Sequence, residues 1–197
     1  MIEVELKSVV DDVPRRRAIV ERAGGTLAWA GRLVDRRYDT SSHELAARDH
    51  VLRLRVYDDG RTVRAELDWK GPTRREGGYK LRDELETKVG DPDALAEILT
   101  ALGYEVSIAI DREIVQYDLQ GTMIRFERYP RMDDLVEVEG EPEDIERAIA
   151  VLGLPREGFN TDRLPDFVKR YEERTGERAL ISDADLTGES TFDHSNA

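Results

Sequence analysis

Charged residues recur at every second position in several segments of this chain, and that period constrains its fold more than any other feature. In a β-strand, residues i, i+2 and i+4 share one face. Glu3, Glu5 and Lys7 therefore stand opposite Ile2, Val4 and Leu6, and Arg53 and Arg55 opposite Leu52, Leu54 and Val56. Lys80, Arg82, Glu84, Glu86 and Lys88 make a longer charged ladder. Arg125 and Glu127 alternate with Ile124 and Phe126. Glu137 and Glu139 alternate with Val136 and Val138, and Leu135 shares their charged face. The pattern predicts a half-buried antiparallel sheet with one apolar and one charged side.

Helices fall between these strands. Three units repeat one grammar of charged strand, acidic residue with Pro, amphipathic helix and closing Gly. The helices are expected before Gly24-Gly25, across 94–102 before Gly103, and across 145–152 before Gly153. Pro in a first helical turn loses no hydrogen bond, an acidic neighbour suits the positive helix end, and Gly supplies the left-handed cap. A fourth helix is expected over 162–175, with Leu164, Phe167, Val168 and Tyr171 as its apolar stripe. Asp58-Asp59-Gly60 and Gln120-Gly121 suit hairpin turns joining 51–57 to 61–70 and 111–119 to 122–128. Residues 71–78, bounded by Gly71-Pro72 and Gly77-Gly78, predict a mobile loop. Residues 1–180 predict one domain. From about Ser182 the chain is polar, acidic and aperiodic, so 181–197 predicts a disordered or loosely docked tail.

Composition narrows the chemistry. The 197 residues include no Cys, which excludes disulfides, zinc–cysteine sites and a thiol nucleophile and favours a reducing, cytoplasmic setting. Charge alternation over residues 1–7 is no signal peptide, and no apolar run is long enough for a membrane span. A net charge of −13 argues against a nucleic-acid partner. His43 and His50 read as surface residues, and Ser41-Ser42 beside His43 does not build a triad.

The charged face itself is unusual, because it is almost wholly Glu and Arg. Of 30 basic residues, 25 are Arg, whose planar fork of donors suits phosphate or carboxylate. Carboxylates recur as same-face pairs, Glu3/Glu5, Glu84/Glu86 and Glu137/Glu139. Such pairs repel unless cations compensate them. Hard oxygen donors suit Mg²⁺ or Mn²⁺, and the Arg set suits a phosphate polyanion. Metal and Arg on one concave face are the equipment of phosphoryl transfer. A barrel with this face inward would hold a polar lumen. The overall negative charge is largely screened beyond about 8 Å at physiological salt, so the local field of such a cleft governs binding.

Glu3-Val4-Glu5-Leu6-Lys7 matches the ExExK signature of the CYTH, or triphosphate tunnel metalloenzyme, superfamily. Further elements follow in that family's order: Arg37-Tyr38-Asp39-Thr40, residues 52–55, residues 69–72, residues 82–86, the Arg112 strand, and residues 136–140. The chain resembles the family over about residues 1–172. The resemblance implies an α+β fold: a closed eight-stranded, mostly antiparallel β-barrel with helices packed outside. It also implies a bound triphosphate and divalent metal, Mg²⁺ or Mn²⁺, and suggests a homodimer.

Carried over position by position, Glu3, Glu5, Glu137 and Glu139 resemble metal ligands, joined by Glu86 and Glu127. Lys7, Arg53, Arg55, Lys70, Arg82, Arg112 and Arg125 resemble triphosphate contacts. Glu3, Glu5, Lys70 and Glu84 are the expected catalytic set. Glu127 stands where the family often has Asp. Lys169 is read as a solvated helix lysine. The activity implied is hydrolysis of tripolyphosphate or an organic triphosphate, nucleoside or thiamine. The rival is class IV adenylate cyclase, whose His-Phe element upstream of the signature is not expected here with Glu3 third in the chain. A third reading is a non-catalytic polyphosphate-binding module. Trp29, Trp69, Tyr38 and Tyr57 are the aromatics available to a nucleobase, and packing is their expected role.

Overall fold

The computed structural model describes residues 2–188, and Ile2 by its backbone alone. Nine strands form one sheet, every pairing antiparallel: β1 (Ile2–Val9), β2 (Thr26–Thr40), β3 (Val51–Asp58), β4 (Val63–Lys70), β5 (Arg74–Glu76), β6 (Tyr79–Val89), β7 (Tyr104–Leu119), β8 (Thr122–Arg128) and β9 (Leu135–Glu139). The order β1-β9-β8-β7-β2-β3-β4-β6 returns to β1 through Ile2↔Asp83 to Glu5↔Lys80. Eight strands therefore close a barrel, and β5 lies outside the ring as a short hairpin partner of β6. Residues 71–78, expected as a mobile loop, thus contain a strand whose Arg74, Arg75 and Glu76 pair with Leu81, Lys80 and Tyr79.

β6 serves two neighbours in turn, β1 through residues 80–83 and β4 through 84–89. Past Glu5 the freed edge of β1 is met by Asn160, whose N–H and C=O exchange hydrogen bonds with Lys7 at 2.9 and 3.0 Å. The segment after the third helix thereby completes the wall beside β1.

Among the described residues five α-helices surround the barrel: α1 (Val13–Arg22), α2 (Pro92–Ala101), α3 (Pro142–Leu152), α4 (Leu164–Thr175) and α5 (Asp183–Thr187). Asp12 and Asp91 cap α1 and α2 by accepting the N–H of Arg15 and Ala94, and Gly153 ends α3 at φ +66°. The apolar strand faces look outward onto these helices. Leu6, Ile124, Phe126, Val136 and Val138 pack against Val20 of α1 and Ile145, Ile149 and Leu152 of α3. Truncating one such side chain to Ala costs about 2–5 kcal/mol. α2 lays Leu99 over Tyr38, Leu54 and Ala65.

Two apolar clusters include inward positions. Leu33, Tyr57 and Ile114 pack with Trp29. Ile108, Ile110, Tyr129 and Leu135 pack with Leu164, Phe167 and Val168 of α4 and with Ala179 and Ile181. The start of the expected tail is thus part of the packed molecule. Ile181, Ser182 and Asp185 are buried, and Ser182 and Asp185 form a reciprocal capping box for α5. The remaining tail, 189–197, lies outside the described residues. Among the described residues no helix is long and apolar enough to cross a membrane.

Candidate functional site

The inward faces of the strands line a cavity of about 450 Å³. Every site residue expected from the sequence reaches it except Glu127. The cause is the pleat: once the ring closes, one face of each strand must converge on the axis. Lys169, by contrast, is 74% exposed and pairs with Glu173 on the outer surface of α4, as expected for a solvated lysine.

The convergent charges neutralise one another in pairs. Lys70 Nζ donates to both oxygens of Glu3 and stands 3.4 Å from Glu84. Lys80 donates to Glu5. Glu137 accepts from Lys7 at 2.6 Å and from Arg125 at 3.0 Å. Burial works against ionisation of Glu137, but Lys7 and then Arg125 outweigh it and hold its carboxyl well below the usual range. Asp68 is shared by Arg53 and Arg55, with Arg55 Nε at 2.7 Å. Arg55 also reaches Glu86 at 3.2 Å. Arg82 is spent largely on backbone carbonyls, donating to Gly71 at 2.7 Å and Asp49 at 2.6 Å.

Glu127 sits beneath this layer. It is 1% exposed, accepts from Arg112 Nε at 3.0 Å and from the Tyr129 hydroxyl at 2.7 Å, and does not line the cavity. Its sequence position suggested a metal ligand; the structure places it in the wall, against Arg112 and Tyr129. Asp35 lies alongside, 3.5 Å from Arg112 and 3.6 Å from Arg53. Burial alone would raise its carboxyl, yet Arg53, Arg112 and Arg37 outweigh that and hold it down to about 2.

Several lining residues were not singled out in the sequence. Arg64, Glu66 and Lys70 share the inward face of β4 with Asp68, and this period-two signal was readable between Ala65, Leu67 and Trp69. Lys80 was visible in the charged ladder without a role. Arg37 and Asp35 on β2 carried no clean alternation, because Arg32 and Arg36 charge the other face, where they pair with Asp183 and Asp111.

Glu139 differs from its neighbours in having no hydrogen-bond or ion-pair partner among the described residues. Burial, then the carboxylates of Glu137 and Glu3, push its carboxyl up to about 7. Like charges crowding a half-buried carboxyl are what a hard cation relieves. The donor set of Glu3, Glu5, Glu137 and Glu139, all oxygen, fits Mg²⁺ or Mn²⁺ in chemistry. Among the described residues no three acidic or His side chains are gathered into a ready metal cage, because Lys70, Lys80 and Lys7 hold three of these four carboxylates.

The arrangement can be set beside known proteins. The CYTH domain family matches residues 1–152. No curated protein matches the chain. Among solved structures, a Vibrio parahaemolyticus protein described as a candidate adenylate cyclase is 18% identical, with a TM-score of 0.72, covering 86% of this chain and 98% of that one. PH1819 from Pyrococcus horikoshii is 22% identical, with a TM-score of 0.69 and coverage of 82% and 94%. A Hippeastrum protein, described as a candidate adenylyl cyclase with a dominant triphosphatase activity, is 16% identical, with a TM-score of 0.62 and coverage of 89% and 96%. At such identities these likenesses establish the shared barrel.

Proposed function

The chain belongs to the CYTH domain family, and from that premise we propose that it is a divalent-metal-dependent phosphohydrolase cleaving the terminal phosphate of inorganic tripolyphosphate or an organic triphosphate. One observation carries the reading. By strand order, β1 and β9 stand across the ring from β2 and β3. The first wall presents four carboxylates, Glu3, Glu5, Glu137 and Glu139, against the single cation Lys7; the second presents Arg37, Arg53 and Arg55. A ligand suited to both walls carries phosphates on one side and a cation on the other.

In this reading Glu3, Glu5, Glu137 and Glu139 hold the metal, with Glu86 contributing. Glu127, buried under Arg112, is left out of the ligand set. The metal would supply Lewis-acid charge neutralisation and a more acidic bound water. Arg53, Arg55, Arg112, Arg125 and Arg82, with Lys7 and Lys70, receive phosphoryl oxygens and offset charge as the terminal bond breaks. Glu84, 3.4 Å from Lys70, orients the attacking water. The closed wall limits bulk water, which strengthens each of these contacts. The functional unit extends past residue 152, since Arg163 and Leu164 also line the cavity.

Hydrolysis is favoured over cyclisation by the aromatic lining. Tyr57 is the lining tyrosine nearest the charged middle of β3, and the Arg64 guanidinium already lies 3.7 Å from its ring centroid. A nucleobase would have to displace it to stack there. The test is phosphate release from tripolyphosphate, ATP and thiamine triphosphate with Mg²⁺ or Mn²⁺, with cyclic AMP followed in the ATP reaction. Release from at least one substrate is expected. Cyclic AMP with pyrophosphate as the products, or no turnover of any substrate with either metal, overturns the reading.

A further inference from the structure

The inward side chains of β2 and β3 meet in register. Asp35 faces Arg55, but Arg37 faces Arg53, so two guanidiniums stand directly opposite each other across one antiparallel pair. Like charges so placed repel. Arg53 has its own carboxylates, Asp68 and, at 3.6 Å, Asp35. Arg112 has Glu127, and Arg163 has Asp49 at 2.9 Å. The Arg37 side chain has no hydrogen-bond or ion-pair partner among the described residues, and its Nε is sealed from solvent with no acceptor. Burial first, then the guanidiniums of Arg53, Arg112 and Arg82, lower its pKa to about 10, with Asp35 opposing. A buried donor left without an acceptor is rare in native proteins, and an unpaired buried charge is costlier still. Arg37 nonetheless lines the cavity, toward the end where Ala46, His50, Val51 and Leu164 also contribute.

We propose that Arg37 is a further substrate-binding residue, whose guanidinium receives an anionic phosphate group of the bound chain at the end of the cavity that Leu164 also lines. The inference rests on the tunnel reading above and adds to it a contact that the charged ladders did not disclose. Arg53 and Arg37 then face each other with an anion between them, which turns their repulsion into a two-sided grip. A fork of donors with Nε already oriented suits phosphate oxygens better than the neutral part of an organic substrate.

Titration calorimetry with inorganic tripolyphosphate, with and without Mg²⁺, tests this in wild type, Arg37→Gln and Arg37→Lys. Arg37→Gln is expected to weaken binding by at least about tenfold, the factor of one charge-assisted contact. Arg37→Lys should recover part of that loss. The Tm of the ligand-free Arg37→Gln protein should be unchanged or higher, because a half-buried cation with a sealed, unsatisfied donor has been removed. Equal affinity in wild type and Arg37→Gln overturns the inference while leaving the tunnel reading in place. A lowered ligand-free Tm that Arg37→Lys restores together with affinity would make Arg37 part of the scaffold and also overturn it. Absence of tripolyphosphate binding by wild type overturns both.

Discussion

The two sides of the barrel solve the same problem differently. On the β2–β3 side, Asp35 and Asp68 are fully buried, yet each sits among guanidiniums, and Asp35 stays ionised down to about 2. Positive charge is in excess there. On the β1–β9 side the acidic groups crowd one another, and Glu139 is pushed up to about 7 by burial, Glu137 and Glu3. Negative charge is in excess there. A barrel built only for stability would mix the signs within each wall. This one carries an excess of negative charge on one side and of positive charge on the other, and that imbalance is the physical basis of the proposed metal-and-triphosphate site.

The largest effect is expected at Glu139, on the acidic wall. Glu139→Gln removes a carboxylate that no protein cation holds, so the fold should keep its Tm while metal-dependent turnover falls on the order of a hundredfold, matching the several kcal/mol that a bound metal supplies. Steady-state phosphate release with Mg²⁺ and a melting curve check both halves; undiminished kcat would remove Glu139 from the acidic wall's role. On the opposite wall, Arg53→Ala should raise KM for tripolyphosphate by about tenfold to a hundredfold, as expected from losing charged hydrogen bonds to phosphate. An unchanged KM would mean that the basic wall is structural only.

Asp35 sharpens the contrast through pH. Its folded pKa, about 2, lies below the ordinary aspartate value of 3.8, so the ionised form favours the folded state. That contribution is fully present above about pH 4 and is lost as pH falls toward 2, amounting to about 2 kcal/mol. Asp35→Asn should therefore be less stable than wild type at neutral pH, with a gap that narrows between pH 4 and 2 in urea unfolding. A gap independent of pH would show that the carboxylate's charge is not what Asp35 contributes. The smallest effect is expected outside the ring. Lys169→Ala, on the exposed face of α4, should change stability by less than about 0.5 kcal/mol and leave kcat and KM unaltered.

How much of this could be read in advance depended on which face of a strand was apolar. Glu3, Glu5, Arg53, Arg55, Glu137 and Glu139 alternate with aliphatic residues, because their opposite faces pack under α1, α2 and α3 or against neighbouring outer side chains; the period announced them. β2 was silent for the opposite reason. Its outer face carries Arg32 and Arg36, committed to Asp183 and Asp111 where α5 docks, while its inner face carries Leu33 beside Asp35 and Arg37. With charges on both faces no alternation survives, so the period marked neither Asp35 nor Arg37 as inward, and Arg37 entered only within the 37–40 family element. Glu127 shows a different limit. Its residue type and inward parity were legible, but its depth was set by Arg112 and Tyr129, contacts that only the closed ring creates. The 181–188 segment lacked periodicity because its order comes from single buried side chains, Ile181 and Asp185, not from an amphipathic stripe.

The most direct test of the opposed walls is an anomalous difference map from crystals grown with Mn²⁺ and tripolyphosphate. The account predicts manganese inside the barrel against Glu137 and Glu139, with the phosphate chain against Arg53 on the facing wall. Manganese and phosphate bound on the outer surface, or both lying along the same wall, would contradict it.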